Sequence, residues 1–174
     1  MTQAPSAPID PSPSIPLHHV EKQWVDYNGH LNMAYYNVLF DKALDHVFDR
    51  LGIGIEYVRT ESCSCFTAEA HITYVRELVE NDPVRITFQL LDWDAKRIHY
   101  FEHMYHAEKN DLAATSEQIA IHVSMETRRS TAFPDHVKDR LARLMDAHRT
   151  LPRPAQAGHV IAIPHKTGTT GKTE

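Results

Sequence analysis

The stretch from residue 33 to 51 constrains the fold most. Its apolar side chains are Tyr36, Leu39, Phe40, Ala43, Leu44, Val47, Phe48 and Leu51, while Asp41, Lys42, Asp45, Asp49 and Arg50 fill the other side. Apolar residues at i, i+3, i+4, i+7 and i+8 over this length predict an amphipathic helix with a broad apolar stripe. Asn32 precedes it as an N-cap and Gly52 follows as a stop. So wide a stripe needs a sheet to cover it.

The sheet is legible downstream. Residues 63–75 are rich in Thr, Phe, Ile, Tyr and Val. After the Asn81-Asp82-Pro83 turn, Val84, Ile86, Phe88 and Leu90 alternate with Arg85, Thr87 and Gln89. A short connection at 92–95 leads to a strand over 96–107, and Asn110-Asp111 leads to another over 112–126. Tight turns between neighbouring strands predict an antiparallel meander. Residues 17–25 read as a first strand. A last helix is predicted from Pro134, with Val137, Leu141, Leu144 and Met145 on one face. The order strand, long helix, four strands, helix is an α+β arrangement, an antiparallel sheet wrapped around one central helix. Exposed sheet edges favour pairing with a second subunit.

At 174 residues this is one domain's worth of chain. The expected boundaries are a Pro-rich arm over 1–16, a folded domain over 17–163 and a loose polar tail over 164–174. A net charge of −5 argues against a nucleic-acid partner. No apolar run approaches the ~20 residues that span a bilayer. Cys63 and Cys65 are read as reduced thiols, which with the missing secretory signal suggests a cytoplasmic protein.

The chemistry concentrates in the turn before the long helix. Asp26, Asn28, His30 and Asn32 alternate there. A helix start presents free N–H groups and a dipole that favour a developing oxyanion. A neighbouring carboxylate can activate water or attack a carbonyl itself. Asn28 and His30 can orient the water or the carboxylate. Asp and Asn in such places are also ordinary caps and Asx-turns, and the residues alone leave both readings open.

The 13 histidines raise the question of a metal. His99 and His103 share a strand face but stand about 13 Å apart. No HExxH motif or Cys-His cluster occurs, so no metal is expected. Nucleophile-elbow, P-loop and dinucleotide-binding glycine patterns are also missing.

The segment Trp24-Val25-Asp26-Tyr27-Asn28-Gly29-His30-Leu31-Asn32, with Tyr35-Tyr36 after it, resembles the active-site turn of the hotdog thioesterases. In the 4-hydroxybenzoyl-CoA thioesterase-like branch, the position of Asp26 holds the nucleophile or general base. The acyl-ACP thioesterases have an Asp-x-Asn-x-His turn, matched by Asp26, Asn28 and His30. They also have a Tyr-x-x-Glu, matched by Tyr74 and Glu77, which implies a catalytic role for Glu77. Glu69 to Tyr74, Arg76 to Leu78, the stretches 90–99 and 104–107, and several positions of 113–123 resemble the betainyl-CoA thioesterases of carnitine breakdown. The likeness covers residues 17–163.

It implies a hotdog fold and hydrolysis of an acyl-CoA. Coenzyme A is then part of the substrate and no separate cofactor is required. The assembly implied is a homodimer or a dimer of dimers, with sites at the subunit interface. Betaine carries a quaternary ammonium, which aromatic faces attract. Trp24, Tyr27, Tyr35, Tyr74 and Trp93 are candidate walls, with Asn32 beside them. Lys96, Arg97, Arg128 and Arg129 are candidate partners for the phosphates of coenzyme A. Each of these aromatics and cations has an ordinary packing or solvated role as its alternative. Other readings are an aromatic or fatty acyl-CoA substrate, a non-catalytic acyl-CoA-binding protein, or a dehydratase, whose His and Asp arrangement is missing.

Overall fold

The computed structural model describes residues 15–163; the expected arm up to residue 14 and the tail from residue 164 lie outside the described residues. The chain runs through β1 (His18–His19), α1 (Met33–Leu51), α2 (Ile55–Glu61), β2 (Cys63–Tyr74), β3 (Pro83–Trp93), β4 (Arg97–His106), β5 (Leu112–Ser124) and α3 (Asp135–His148). The five strands form one antiparallel sheet in the order β1-β3-β4-β5-β2. The meander of β3, β4 and β5 is the predicted one. Strand β2 closes one edge by pairing with β5, and its own outer edge has no strand beside it among the described residues.

Helix α1 lies on the inner face of this curled sheet. Its eight predicted apolar residues are all buried, Leu39, Phe40 and Ala43 completely. They meet Val84, Ile86, Phe88 and Leu90 of β3 and Ile98, Tyr100 and Met104 of β4 in one cluster. Truncating a side chain such as Leu39 there costs about 2–5 kcal/mol. The Asn32 side chain accepts from Ala34 N at 3.0 Å, the predicted cap. Gly52 ends the helix in the left-handed region (φ 69°), and Arg140 of α3 donates to Leu51 O at 2.9 Å.

Three local expectations change. The first strand, expected over 17–25, shrinks to His18 and His19. A 3-10 turn at Lys22–Trp24 then swings Trp24 into the core at 6% exposure, so the segment spends its apolar residues inward instead of extending along β3. Helix α2 was unforeseen. Its N-cap is Gly54, without a capping side chain, and Tyr57 is its one buried residue, so the local signal is slight. Pro134 is the N-cap of α3 rather than its first residue.

Candidate functional site

The turn before α1 is held by its own backbone. Asp26 N donates to His30 O at 3.0 Å and Gly29 N to Asp26 O at 3.0 Å, with Gly29 at φ 85°, where glycine is favoured. Asn28 N donates to Asp26 Oδ1 at 2.8 Å. That bond aims the Asp26 carboxylate. The side chain is 15% exposed, and His30 Nδ1 stands 4.0 Å from Oδ1, too far for a hydrogen bond. Nδ1 lies 3.3 Å from Leu31 O, a carbonyl that accepts when Nδ1 carries the proton, and in that tautomer Nε2 is the acceptor.

A cleft of about 290 Å³ opens beside this turn, lined by His30, Met33, Tyr36, Tyr74, Arg76 and Glu77 among others. Its second wall is the segment 75–78 that leaves β2. Two ties clip the walls together. Leu31 N donates to Leu78 O at 2.7 Å. The buried Tyr36 hydroxyl donates to Arg76 O and accepts from Leu78 N, both at 3.2 Å. Burial raises the pKa of that phenol, so it stays a neutral donor. Tyr74 packs edge-on against Tyr36 at 5.2 Å and donates to Met33 O at 3.2 Å. Its pKa is also raised by burial. At the helix start, Ala34 N and Tyr35 N are taken by Asn32, and Gly29 N is spent inside the turn. Met33 N, the first of α1, remains as a backbone donor at the helix start beside this cleft.

Of the residues singled out from sequence, Asp26, Asn28, His30, Asn32, Tyr74 and Glu77 gather at this end of the sheet. Tyr35 is there too, but it stacks on Trp24 at 5.6 Å. Lys42 Nζ lies 4.8 Å from the centroid of the Trp24 ring. Trp24 therefore works as a core residue within the chain, not as an open wall. Tyr27 is 97% exposed and outside the cleft. Trp93, Lys96, Arg97, Arg128 and Arg129 lie at the opposite end. Tyr74 pairs with Ala114 of β5, whereas Arg97 pairs with Ile121, seven residues on. That is about 24 Å along a strand. Arg97 is bound to Asp94 through Nε at 2.8 Å, which lowers the Asp94 pKa, and Arg128 covers the Phe66 ring at 5.2 Å. Within one copy these cations do not reach the cleft.

Tyr36 was read from sequence only as a core residue. Its signal was a phenol on a buried face, which must find a hydrogen-bond partner. A second groove of about 730 Å³ runs between α1 and the N-terminal half of β2. Asp41, Asp45 and Asp49 line it with Phe48 and Phe66, and burial together with the two neighbouring aspartates raises the pKa of Asp45. Among the described residues no group of three or more His, Cys, Asp or Glu is placed to hold a metal, and no helix is long and apolar enough to cross a membrane.

Residues 20–141 match the model of the thioesterase-like superfamily. The chain is 37% identical over 142 residues to a betainyl-CoA thioesterase of Pseudomonas aeruginosa, covering 82% of this chain and 89% of that one. It is 34% identical to an L-carnitine dehydrogenase/betainyl-CoA thioesterase of Rhizobium meliloti, spanning 91% of this chain but 32% of that longer protein. Among solved structures, a hypothetical protein of Staphylococcus aureus in complex with CoA superposes with a TM-score of 0.80 at 32% identity, over 85% of this chain and 93% of the other. A putative thioesterase of Pseudomonas putida gives 0.75 at 32% identity, over 87% and 96%.

Proposed function

The chain belongs to the thioesterase-like superfamily and hydrolyses acyl-CoA thioesters on a hotdog fold; within that activity we propose that its substrate is betainyl-CoA, split by water into betaine and CoA. The observation that carries the reading is one cleft with the Asp26 carboxylate just behind His30, the Met33 N–H at the start of α1, and Glu77 on the facing wall.

The thioester carbonyl sits at the start of α1, its oxygen toward Met33 N–H and the positive end of the helix dipole. Asp26 acts on the carbonyl carbon, directly as nucleophile or by taking a proton from the attacking water. Asn28 N–H keeps the carboxylate aimed, and His30 Nε2 with Glu77 positions the water. The C–O bond forms as the C–S bond breaks. The CoA thiolate leaves without a strong acid, because a thiol is acidic enough to depart as its anion.

Assembly completes this picture. The open edge of β2 is twelve residues long, with Phe66 to Ala70 exposed at its middle. Antiparallel pairing of that edge with a second copy is our reading of the dimer. It sets the cleft at the C-terminal end of one β2 beside the N-terminal end of the other. The acidic groove of Asp41, Asp45 and Asp49 and the cation of Arg128 lie at that end. A negative field there favours a cationic acyl group over a fatty one, and an arginine nearby suits the CoA phosphates.

The test is thiol release from betainyl-, acetyl-, benzoyl- and long-chain acyl-CoA, for wild type and Asp26→Asn. Preference for betainyl-CoA, lost in the variant, supports substrate and residue together. Turnover of the other thioesters alone removes betaine from the reading.

A further inference from the structure

The outer face of the sheet, away from α1, carries a strap that the thioesterase chemistry does not use. Beyond α3 the chain crosses the strands along a single row. Gln89 of β3, Phe101 of β4, Glu117 of β5 and His71 of β2 are successive cross-strand neighbours. Gln89 Nε2 donates to Pro152 O at 3.3 Å. Gly158 N donates to Glu117 Oε2 at 2.6 Å, while Glu117 Oε1 is held 2.7 Å from His99 Nε2. The His159 ring then packs on His71 at 5.6 Å. Phe101, in the middle of the row, is 1% exposed although it is not part of the inner core cluster. The strap thus tracks from β3 to β2 and arrives at the unpaired edge of the sheet.

Next along the chain come Val160, Ile161 and Ile163, exposed by 77%, 83% and 78%. Three large apolar residues leaving a fixed point in water are an unpaid cost unless something covers them. A receiving surface exists on the same outer face. Side chains alternate along β2 and β5, so Phe66, Ile119 and Ile121 stand opposite the core-facing Thr67, Gln118 and Ala120. Phe66 is 37% exposed beside the Arg128 guanidinium that lies over its ring, Ile119 and Ile121 are half-buried, and Ile119 also lines a small cleft with Trp93, Arg97 and His99. Within one chain the arm does not seat on this surface, since Val160, Ile161 and Ile163 stay exposed.

We propose that Val160–Ile163 is an exchanged arm: it crosses the β2 edge and lies on the outer face of a second copy of this chain, over Phe66, Ile119 and Ile121. The proposal rests on the β2-edge dimer proposed above. Two-fold antiparallel pairing brings the second copy's outer face level with the first, and the row begun at Gln89 continues across the junction. Each copy gives one arm and receives one, so the contact closes on itself. The arm contributes to assembly and not to chemistry, because the catalytic cleft is on the inner side.

Two measurements on the full chain test this. The first is dimer dissociation by sedimentation for wild type and for Val160→Ser/Ile161→Ser/Ile163→Ser. We expect dimer affinity weakened by about tenfold or more, with kcat unchanged at concentrations where the variant is dimeric. The second places a photo-crosslinking residue at 161 in a mixture of light- and heavy-isotope chains. We expect mixed-isotope crosslinks to peptides containing Phe66 or Ile119–Ile121. Unchanged dimer affinity, or crosslinks within one chain only, overturns the arm while leaving the dimer standing. A wild-type chain that sediments as a monomer removes the edge dimer and the arm with it, yet leaves the hydrolysis reading to its own assay.

Discussion

Two carboxylates set inside the same sheet-and-helix sandwich behave in opposite ways. Asp26 sits in the turn before α1, 15% exposed, with one oxygen held by Asn28 N–H. Glu102 sits on the inner floor of the sheet, completely buried. Gln118 Nε2 donates to its Oε2 at 3.3 Å, and its Oε1 has no hydrogen-bond partner. Burial first, and the charge of Asp41 second, push its pKa well above the ordinary carboxylate value. A neutral acid in a sealed site is a packing element in a network with Ser116 and Tyr100. A carboxylate aimed by a backbone N–H beside an open cleft keeps access to solvent and a fixed direction. The difference shows that access and hydrogen bonding, more than residue type, decide where chemistry can occur in this fold.

The contrast can be broken at either side. The largest expected effect is Asp26→Asn, which keeps the turn's shape and removes the charge. Thiol release should fall by about 10²–10⁴-fold, with the melting temperature nearly unchanged. Retention of more than half the activity would dethrone Asp26. Next is Tyr36→Phe, which deletes the hydroxyl that clips segment 75–78 to α1. We expect a loss of about 1 kcal/mol in stability, read by urea unfolding, and a lower kcat from a Glu77 wall less well held. Asn32→Ala removes the cap of α1 and should cost about 1 kcal/mol, with a smaller effect on kcat because Met33 N–H remains.

Glu102→Gln should change turnover least, since it replaces a neutral acid with a neutral amide. Its signature is in pH dependence. The folded-state pKa of Glu102 lies above the reference of 4.5. In the wild type its stabilising contribution is therefore full below about that reference and is lost as pH rises toward the folded pKa. The stability advantage of Glu102→Gln over wild type should grow as pH is raised from 5 to 8, measured by denaturant midpoints. A constant offset across that range would mean that Glu102 is ionised in the folded protein.

Legibility followed distance along the chain. Helix α1 was read with its bounds, cap and stop, because 3.6-residue spacing and Asn32 and Gly52 are local features. The β3-β4-β5 meander was read for the same reason, since alternation and tight turns are written residue by residue. Strand β1 was overread, because extended-looking residues pair only where an edge accepts them, and Val20 and Trp24 turn into the core instead. The turn 26–32 was legible as a contiguous motif, and the structure holds Asp26, Asn28 and His30 together in it. The aromatic and basic candidates were not separable by position. Trp24 and Trp93 look alike in sequence, yet one is locked in the core and the other lies at the far end of the sheet.

By itself the sequence determined the long helix, the β3-β4-β5 meander and the residue content of the turn before α1, through backbone preferences and side-chain periods that act within a few residues. Only the tertiary structure decided that Tyr36 clips a wall forty residues away, that Glu102 is sealed and neutral while Asp26 is accessible, and that the segment after α3 crosses the sheet in one row from Gln89 to His71. These facts depend on which groups lose water together when distant segments close on one another. Desolvation and hydrogen-bond geometry are properties of that closed arrangement and not of any one stretch of chain.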